Sequence, residues 1–185
     1  MIRTFVALLL PPAWTGYLAR VREELAPRTS GMSWVQPGNI HITLRFLGDL
    51  GEDGARRAGE SVRRGAEGVP APAARLGGLG GFPNLDRARV LWIGLEAGAE
   101  EAVALARAVN DALREDGFGP PDKPFRPHLT LARVREGAGG LEAVRAYALP
   151  APPEAAVLDL VAVMKSDLHP AGARYTPLTE VRLRH

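Results

Sequence analysis

The stretch HITLRFLGDL, residues 41–50, and the stretch HLTLARV, residues 128–134, both open His, apolar residue, Thr, Leu. In an extended strand, residues two apart share a face. His41 and Thr43 therefore point one way and Ile42 and Leu44 the other. His128 and Thr130 are set in the same manner against Leu129 and Leu131. Strict alternation adds Arg45 to the polar face of the first stretch and Arg126 to that of the second, and it sends Phe46 into a core. The chain holds four histidines and seven threonines. Chance would put Thr two positions after two of the four histidines with a probability of about 1%, and apolar residues at both flanking sites lower that to roughly 0.04%. Coincidence does not account for the repeat.

The rest of the chain frames these two strands. Ile2 to Leu10 reads as a first strand ended by Pro11 and Pro12 rather than as a signal peptide. PAWTGYLARVREEL carries Trp14, Leu18, Val21 and Leu25 at helical spacing and stops at Pro27. MSWV and IHITLRFLG read as strands, and EDGARRAGESVRRGAEG as a helix with a weak apolar face. The glycine run 77–81 is a flexible or bulged strand segment leading to the strong strand RVLWIGL. The clearest helix is AEEAVALARAVNDALREDG, with Val103, Ala106, Val109 and Leu113 on one face and Gly117 as its stop. A short helix near Leu141 to Tyr147 precedes two last strands, VLDLVAVMKS and RYTPLTEVRL, which flank the hairpin loop DLHPAGA. No linker separates independent domains, so residues 1–185 are expected to form a single α+β unit of two interleaved lobes related by a pseudo-two-fold axis.

Composition excludes several classes. The chain has no cysteine, hence no disulfide framework, thiolate metal site or cysteine nucleophile. No run of eighteen apolar residues occurs, and a cytoplasmic home away from membranes is expected. A formal net charge of +2 is too small to mark a nucleic-acid binder by itself. There is no HExxH and no acidic cluster beside a histidine, so neither a metal nor a cofactor is expected. Ser61 lies in GESVR, which lacks the second glycine of a nucleophile elbow. Glycines 77–81 are not followed by Lys and Ser or Thr, so they are no phosphate-binding loop. His169, in a turn, and His185, at the end of the chain, read as structural.

Two imidazoles suit one chemistry well. Their ordinary pKa near 6.5 lets one be neutral and the other protonated near neutral pH. Such a pair can take a proton from water on one side of a phosphorus and give one to the leaving oxygen on the other. The two threonine hydroxyls can donate to non-bridging phosphate oxygens. Spacing alone does not say which histidine is acid and which is base.

Paired His-x-Thr motifs are the signature of the 2H phosphoesterase superfamily. RTFVALLLP, WVQPGNIHITLRFLGDL, RVLWIGL, FRPHLTLARV and MKSDLHPAGARYTPL resemble, in order, its bacterial and archaeal RNA 2′,3′-cyclic phosphodiesterases, also called 2′-5′ RNA ligases. The resemblance implies a bilobal α+β fold in which two antiparallel sheets form a central cleft with helices outside. It implies metal-independent hydrolysis of a terminal RNA 2′,3′-cyclic phosphate to a 2′-phosphomonoester, by a monomer. By motif position, His41 is the implied proton donor, His128 the proton acceptor, and Thr43, Thr130 and Arg133 the phosphate-binding residues. Arg133 has the wrong parity for the His128 face unless the strand bulges or twists after Thr130. Arg126 and Arg45 are secondary candidates for substrate contact. Trp34, Phe82 and Phe125 are candidates to stack on a base. Two alternatives stay open: another 2H activity, such as 2′-5′ ligation or cleavage or hydrolysis of other cyclic phosphates, and a non-catalytic module that binds RNA ends.

Overall fold

In the computed structural model the chain runs β1 (Ile2–Leu8), α1 (Pro12–Leu25), β2 (Ser30–Trp34), β3 (Ile42–Leu50), α2 (Glu52–Ala66), β4 (Ala73–Phe82), β5 (Val90–Ala97), α3 (Ala99–Glu115), β6 (Leu129–Gly139), α4 (Leu141–Ala146), β7 (Ala156–Val157), β8 (Leu160–Asp167) and β9 (Arg174–Arg182). The structure describes residues 1–169 and 172–184. Residues 170 and 171 of the expected hairpin loop, and His185, lie outside the described residues. Among the described residues no helix is long and apolar enough to cross a membrane.

The strands form two antiparallel groups that meet at the two motif strands. One lobe has the order β3-β1-β8-β9, and the other β7-β4-β5-β6 with β2 on the far side of β6. The lobes are joined by a single pair, Ile42 opposite Leu129, the residues between His and Thr in each motif. Beyond it β6 turns to β2, where Trp34 faces Ala132, while β3 continues along β1. Two sheets that diverge after one shared pair leave an open angle between them, and both His-x-Thr faces lie at its vertex.

Helices cover the other faces. α1 presents Trp14, Leu18, Val21 and Leu25, all fully buried, as the spacing predicts. Burial stabilises by about 1.5–3 kcal/mol for each such aliphatic side chain. Trp14 Nε1 and Tyr17 Oη also donate to the carbonyls of Glu154 and Pro150, fastening the proline-rich segment over this helix. α2 has a weak apolar face because the face is made of small residues, Ala55, Ala58, Gly59, Ser61, Val62 and Ala66. Small residues let backbones approach closely. A Cβ on Gly65 would come within 2.9 Å of the Val109 Cα and the Ala108 carbonyl of α3, so glycine sets the α2–α3 separation. Ser61 is buried there, donating to the carbonyl of Arg57 and to the Asp116 carboxylate.

Two expectations need correction here. β1 ends at Leu8, not Leu10, because the prolines that follow open α1. Val103 is 44% exposed. The buried stripe of α3 is Ala102, Leu105, Ala106, Val109, Ala112 and Leu113, since the helix must satisfy both α2 and the sheet.

Candidate active site

The two motifs are held alike at each histidine. His41 follows a tight turn at Pro37–Asn39, and its Nδ1 lies 2.8 Å from the carbonyl of Asn39. His128 follows an irregular segment, and its Nδ1 lies 2.6 Å from the carbonyl of Arg126. A carbonyl can only accept, so Nδ1 carries the hydrogen in both rings and Nε2 is the basic nitrogen when the ring is neutral. His41 Nε2 is 2.9 Å from Thr43 Oγ1, and in the neutral ring the hydroxyl donates to it. Antiparallel register carried one step either side of the Ile42–Leu129 pair sets His41 across from Thr130 and Thr43 across from His128. Among the described residues, the His41–Thr43 bond is the one that joins an imidazole to a motif hydroxyl.

Aromatic rings box both imidazoles. Phe5 stacks on His41 with centroids 4.9 Å apart, and Tyr175 meets His41 edge-on at 5.5 Å. Asn39 helps to bring Tyr175 there, because its Nδ2 donates to the carbonyl of Ala173 at 2.7 Å. In the other lobe Phe82 meets His128 edge-on at 4.9 Å and Trp92 lies 6.3 Å away. The glycine run in β4 serves this box. β4 bulges between Leu76 and Leu79, and any Cβ on Gly80 would overlap the indole of Trp92.

Both imidazoles have pKa values lowered from the ordinary 6.5. For His41 burial is the main cause, partly offset by the Asn39 carbonyl, with the charge of His128 lowering it further. For His128 burial again leads, the Arg126 carbonyl opposes it, and the charge of Arg133 lowers it. In both places burial works against the imidazolium form.

The parity problem at Arg133 resolves through a pair of matched irregularities. Thr43 lies opposite Ala7 and Phe46 opposite Phe5, while Arg45 lies opposite Val6, with a register shift between. Paired residues point to the same side of a sheet, so Phe46 shares the face of Thr43 and Arg45 does not. β6 does the same: Thr130 is opposite Trp92 and Arg133 opposite Val90, with Ala132 opposite Leu91 across a shift. One extra residue in each strand, Leu44 and Leu131, reverses the alternation after Thr. Arg133 consequently emerges beside Thr130, as the bulge alternative required. Phe46 occupies the equivalent position in β3 and is 59% exposed.

The bulge overturns two sequence expectations. Phe46 is not in the core, and Arg45 is not on the polar face of its motif. Arg45 is only 7% exposed and turned toward α3, with Nη1 donating to Asn110 Oδ1 at 2.8 Å, Nη2 to the carbonyl of Gly119 and Nε to the carbonyl of Phe46. Arg126 keeps an exposed side chain and enters the site through its carbonyl. Of the aromatic candidates, Phe82 borders His128, whereas Trp34 and Phe125 pack against the main core. Phe5, Tyr175, Trp92 and Phe46 were missed, because ring positions on neighbouring strands depend on register. His169 lies exposed at the hairpin, with its carbonyl accepting from Gly172 N.

Two antiparallel lobes sharing one motif pair define an internally duplicated phosphoesterase architecture, and a family comparison finds the same duplication. The model of the LigT-like phosphoesterases matches twice, over residues 8–92 and 93–175. The chain belongs to the LigT-like phosphoesterase family. It is 40% identical to the RNA 2′,3′-cyclic phosphodiesterase of Aeropyrum pernix over 70% of this chain and 72% of that one. It is 35% identical to the enzyme of the same name from Archaeoglobus fulgidus, over 96% and 98% of the two chains. The crystal structure of TT0787 from Thermus thermophilus superimposes with a TM-score of 0.76 at 31% identity, covering 99% of this chain and 98% of that one.

Proposed function

We propose that this chain hydrolyses the 2′,3′-cyclic phosphate at the end of an RNA to a 2′-phosphomonoester, as one two-lobed monomeric unit in the cytosol, without a metal or cofactor. The observation that carries the reading is the placement of two Nδ1-anchored imidazoles and two hydroxyls around the Ile42–Leu129 pair, with Arg133 brought to their face by the bulge. Relatives that span nearly the whole chain carry the name of this activity.

In this reading His128 Nε2 takes a proton from water as the water oxygen bonds to phosphorus. The bond from phosphorus to the 3′ oxygen breaks, and His41 protonates the departing oxygen. Thr43, Thr130 and Arg133 hold the non-bridging oxygens. Protonation of His41 also reorganises its own strand. The charged ring has no lone pair left at Nε2, so the Thr43 hydroxyl no longer donates to it and can point at the phosphate, while Nε2–H is aimed at the departing oxygen. The two rings end the cycle with their protons exchanged, and solvent resets them.

The direct test is an oligoribonucleotide ending in a 2′,3′-cyclic phosphate, incubated with the protein in EDTA, with 2′- and 3′-phosphate products resolved. A 2′-phosphate product is expected. A 3′-phosphate product would reverse the two histidine roles, and turnover only with added metal would overturn the mechanism.

The pH dependence follows from the lowered values. The active free enzyme needs one ring neutral and one protonated, so kcat/KM is bell-shaped and centred between the two pKa values. Both lie below the ordinary 6.5, which puts the expected optimum of kcat/KM on the acid side of it. A bound anionic phosphate favours imidazolium, so the optimum of kcat is expected at higher pH than that of kcat/KM. Equal optima for the two, at or above pH 7, would contradict the assignment.

A further inference from the structure

We infer that Arg45 is a positioning residue, tying the strand of the first motif to the segment that delivers His128. The inference rests on the proposed function for its kinetic consequence but not for its geometry. Residues 119–127 contain no helix or strand and run directly into His128. Among the described residues this segment has two hydrogen bonds, one from Arg45 Nη2 to the carbonyl of Gly119 and one from His128 Nδ1 to the carbonyl of Arg126. Arg45 thus supplies the polar anchor at the start of the segment, Phe125 packs against the main core near its end, and the imidazole follows.

Burying a guanidinium is costly, and the fold does not demand one at this place. The equivalent bulge position in β6 is Ala132, fully buried. A small apolar residue can therefore fill the site that the bulge creates. Arg45 instead uses all three of its nitrogens. Nε and Nη1 fix the side chain to the carbonyl of Phe46 and to Asn110, which in turn donates to the carbonyl of Ala106 in α3. That leaves Nη2 aimed at the segment from a rigid base, with Asp122 of the same segment supplying a compensating charge. The planar fork of arginine suits three acceptors in fixed directions, as lysine does not.

The test compares wild type with R45M, R45K and N110A by backbone NMR order parameters of the non-proline residues of 119–127, by NMR titration of both imidazoles, and by steady-state kinetics. R45M should stay folded, and the backbone NMR order parameters of residues 119–127 should fall. His128 should titrate lower, since the Arg126 carbonyl bond that favours its imidazolium is loosened while Arg133 still opposes it. His41, anchored by Asn39 in the other lobe, should keep its value. kcat/KM should fall about tenfold or more, the usual result of a catalytic group displaced by an ångström or less. R45K keeps the charge and loses the fork, so the same changes in R45K assign the effect to geometry. Folded R45M with wild-type order parameters in the segment and a wild-type His128 titration would overturn the inference. Should R45M fail to fold, N110A releases one of the three bonds and carries the same readouts; wild-type behaviour there would overturn it equally. Neither order parameters nor titration needs turnover, so absence of the proposed reaction would leave both measurements decisive.

Discussion

Replacing His128 or His41 by alanine is expected to lower kcat on a terminal cyclic phosphate by about 10²–10⁴, the usual contribution of one positioned general acid or base. Both substitutions should leave the fold standing. The imidazoles lie at the vertex of the cleft, outside the main core, and their ring partners Phe5 and Phe82 pack on other neighbours as well. A thermal melt close to that of wild type is the control. The pH profile separates the roles. A general base must be neutral, so loss of His128 should flatten the acid limb; a general acid must be protonated, so loss of His41 should flatten the alkaline limb. The double variant should cost less than the product of the single losses, because both groups act in one transition state. Full activity in either single variant would refute the two-histidine reading.

What the sequence revealed and what it hid divide along a physical line. The His-x-Thr pairs, the duplication and most of the strand and helix order were legible because periodicity and turn residues are local; the expected strand VLDLVAVMKS is split, with Val157 pairing β4 and Leu160 opening β8. The alternation rule also worked up to Thr43 and Thr130. It failed beyond them, at Arg45 two residues on and at Arg133 three residues on, because a bulge depends on what the neighbouring strand needs. Val6 and Leu91 pair with Arg45 and Ala132 on the core side, and the extra residues Leu44 and Leu131 are buried beside them. A leucine followed by an arginine or an alanine, with both facing the core, looks in sequence like an ordinary alternating strand. The aromatic boxes were hidden for a related reason. Phe5, Tyr175, Phe82 and Trp92 come from β1, β9, β4 and β5, and only the assembled register brings them to His41 and His128. The GGLGG run was the one visible sign, since a glycine-lined strand implies something flat lying over it.

Arg133→Met is expected to lower kcat by about 10²–10³, the usual cost of removing one preorganised donor to a developing phosphoryl charge. The same change should raise the pKa of His128, whose imidazolium Arg133 now disfavours, and so move the acid limb of kcat/KM to higher pH. A residue needed only for folding would not shift that limb. Phe46→Ala, at the matching bulge position of the other lobe, should behave differently. Its exposed ring lies on the His41 side of the cleft beside Phe5, at 6.3 Å, and stacking on a base is worth about 1–3 kcal/mol. Loss of the ring should therefore raise KM by roughly tenfold with kcat little changed. The contrast matters because the two positions are structurally equivalent. A duplicated fold offers the substrate two similar half-sites, and a symmetric site has no reason to prefer one phosphate orientation. On the proposed function, a cation at one bulge and an aromatic ring at the other would draw the phosphate toward His128 and leave the base over the His41 lobe. Polarity of that kind is what the 2′-phosphate outcome needs. If Arg133→Met kept kcat within about twofold of wild type and left the acid limb in place, the polarity would have to come from elsewhere, and Phe46→Arg should then be as active as wild type.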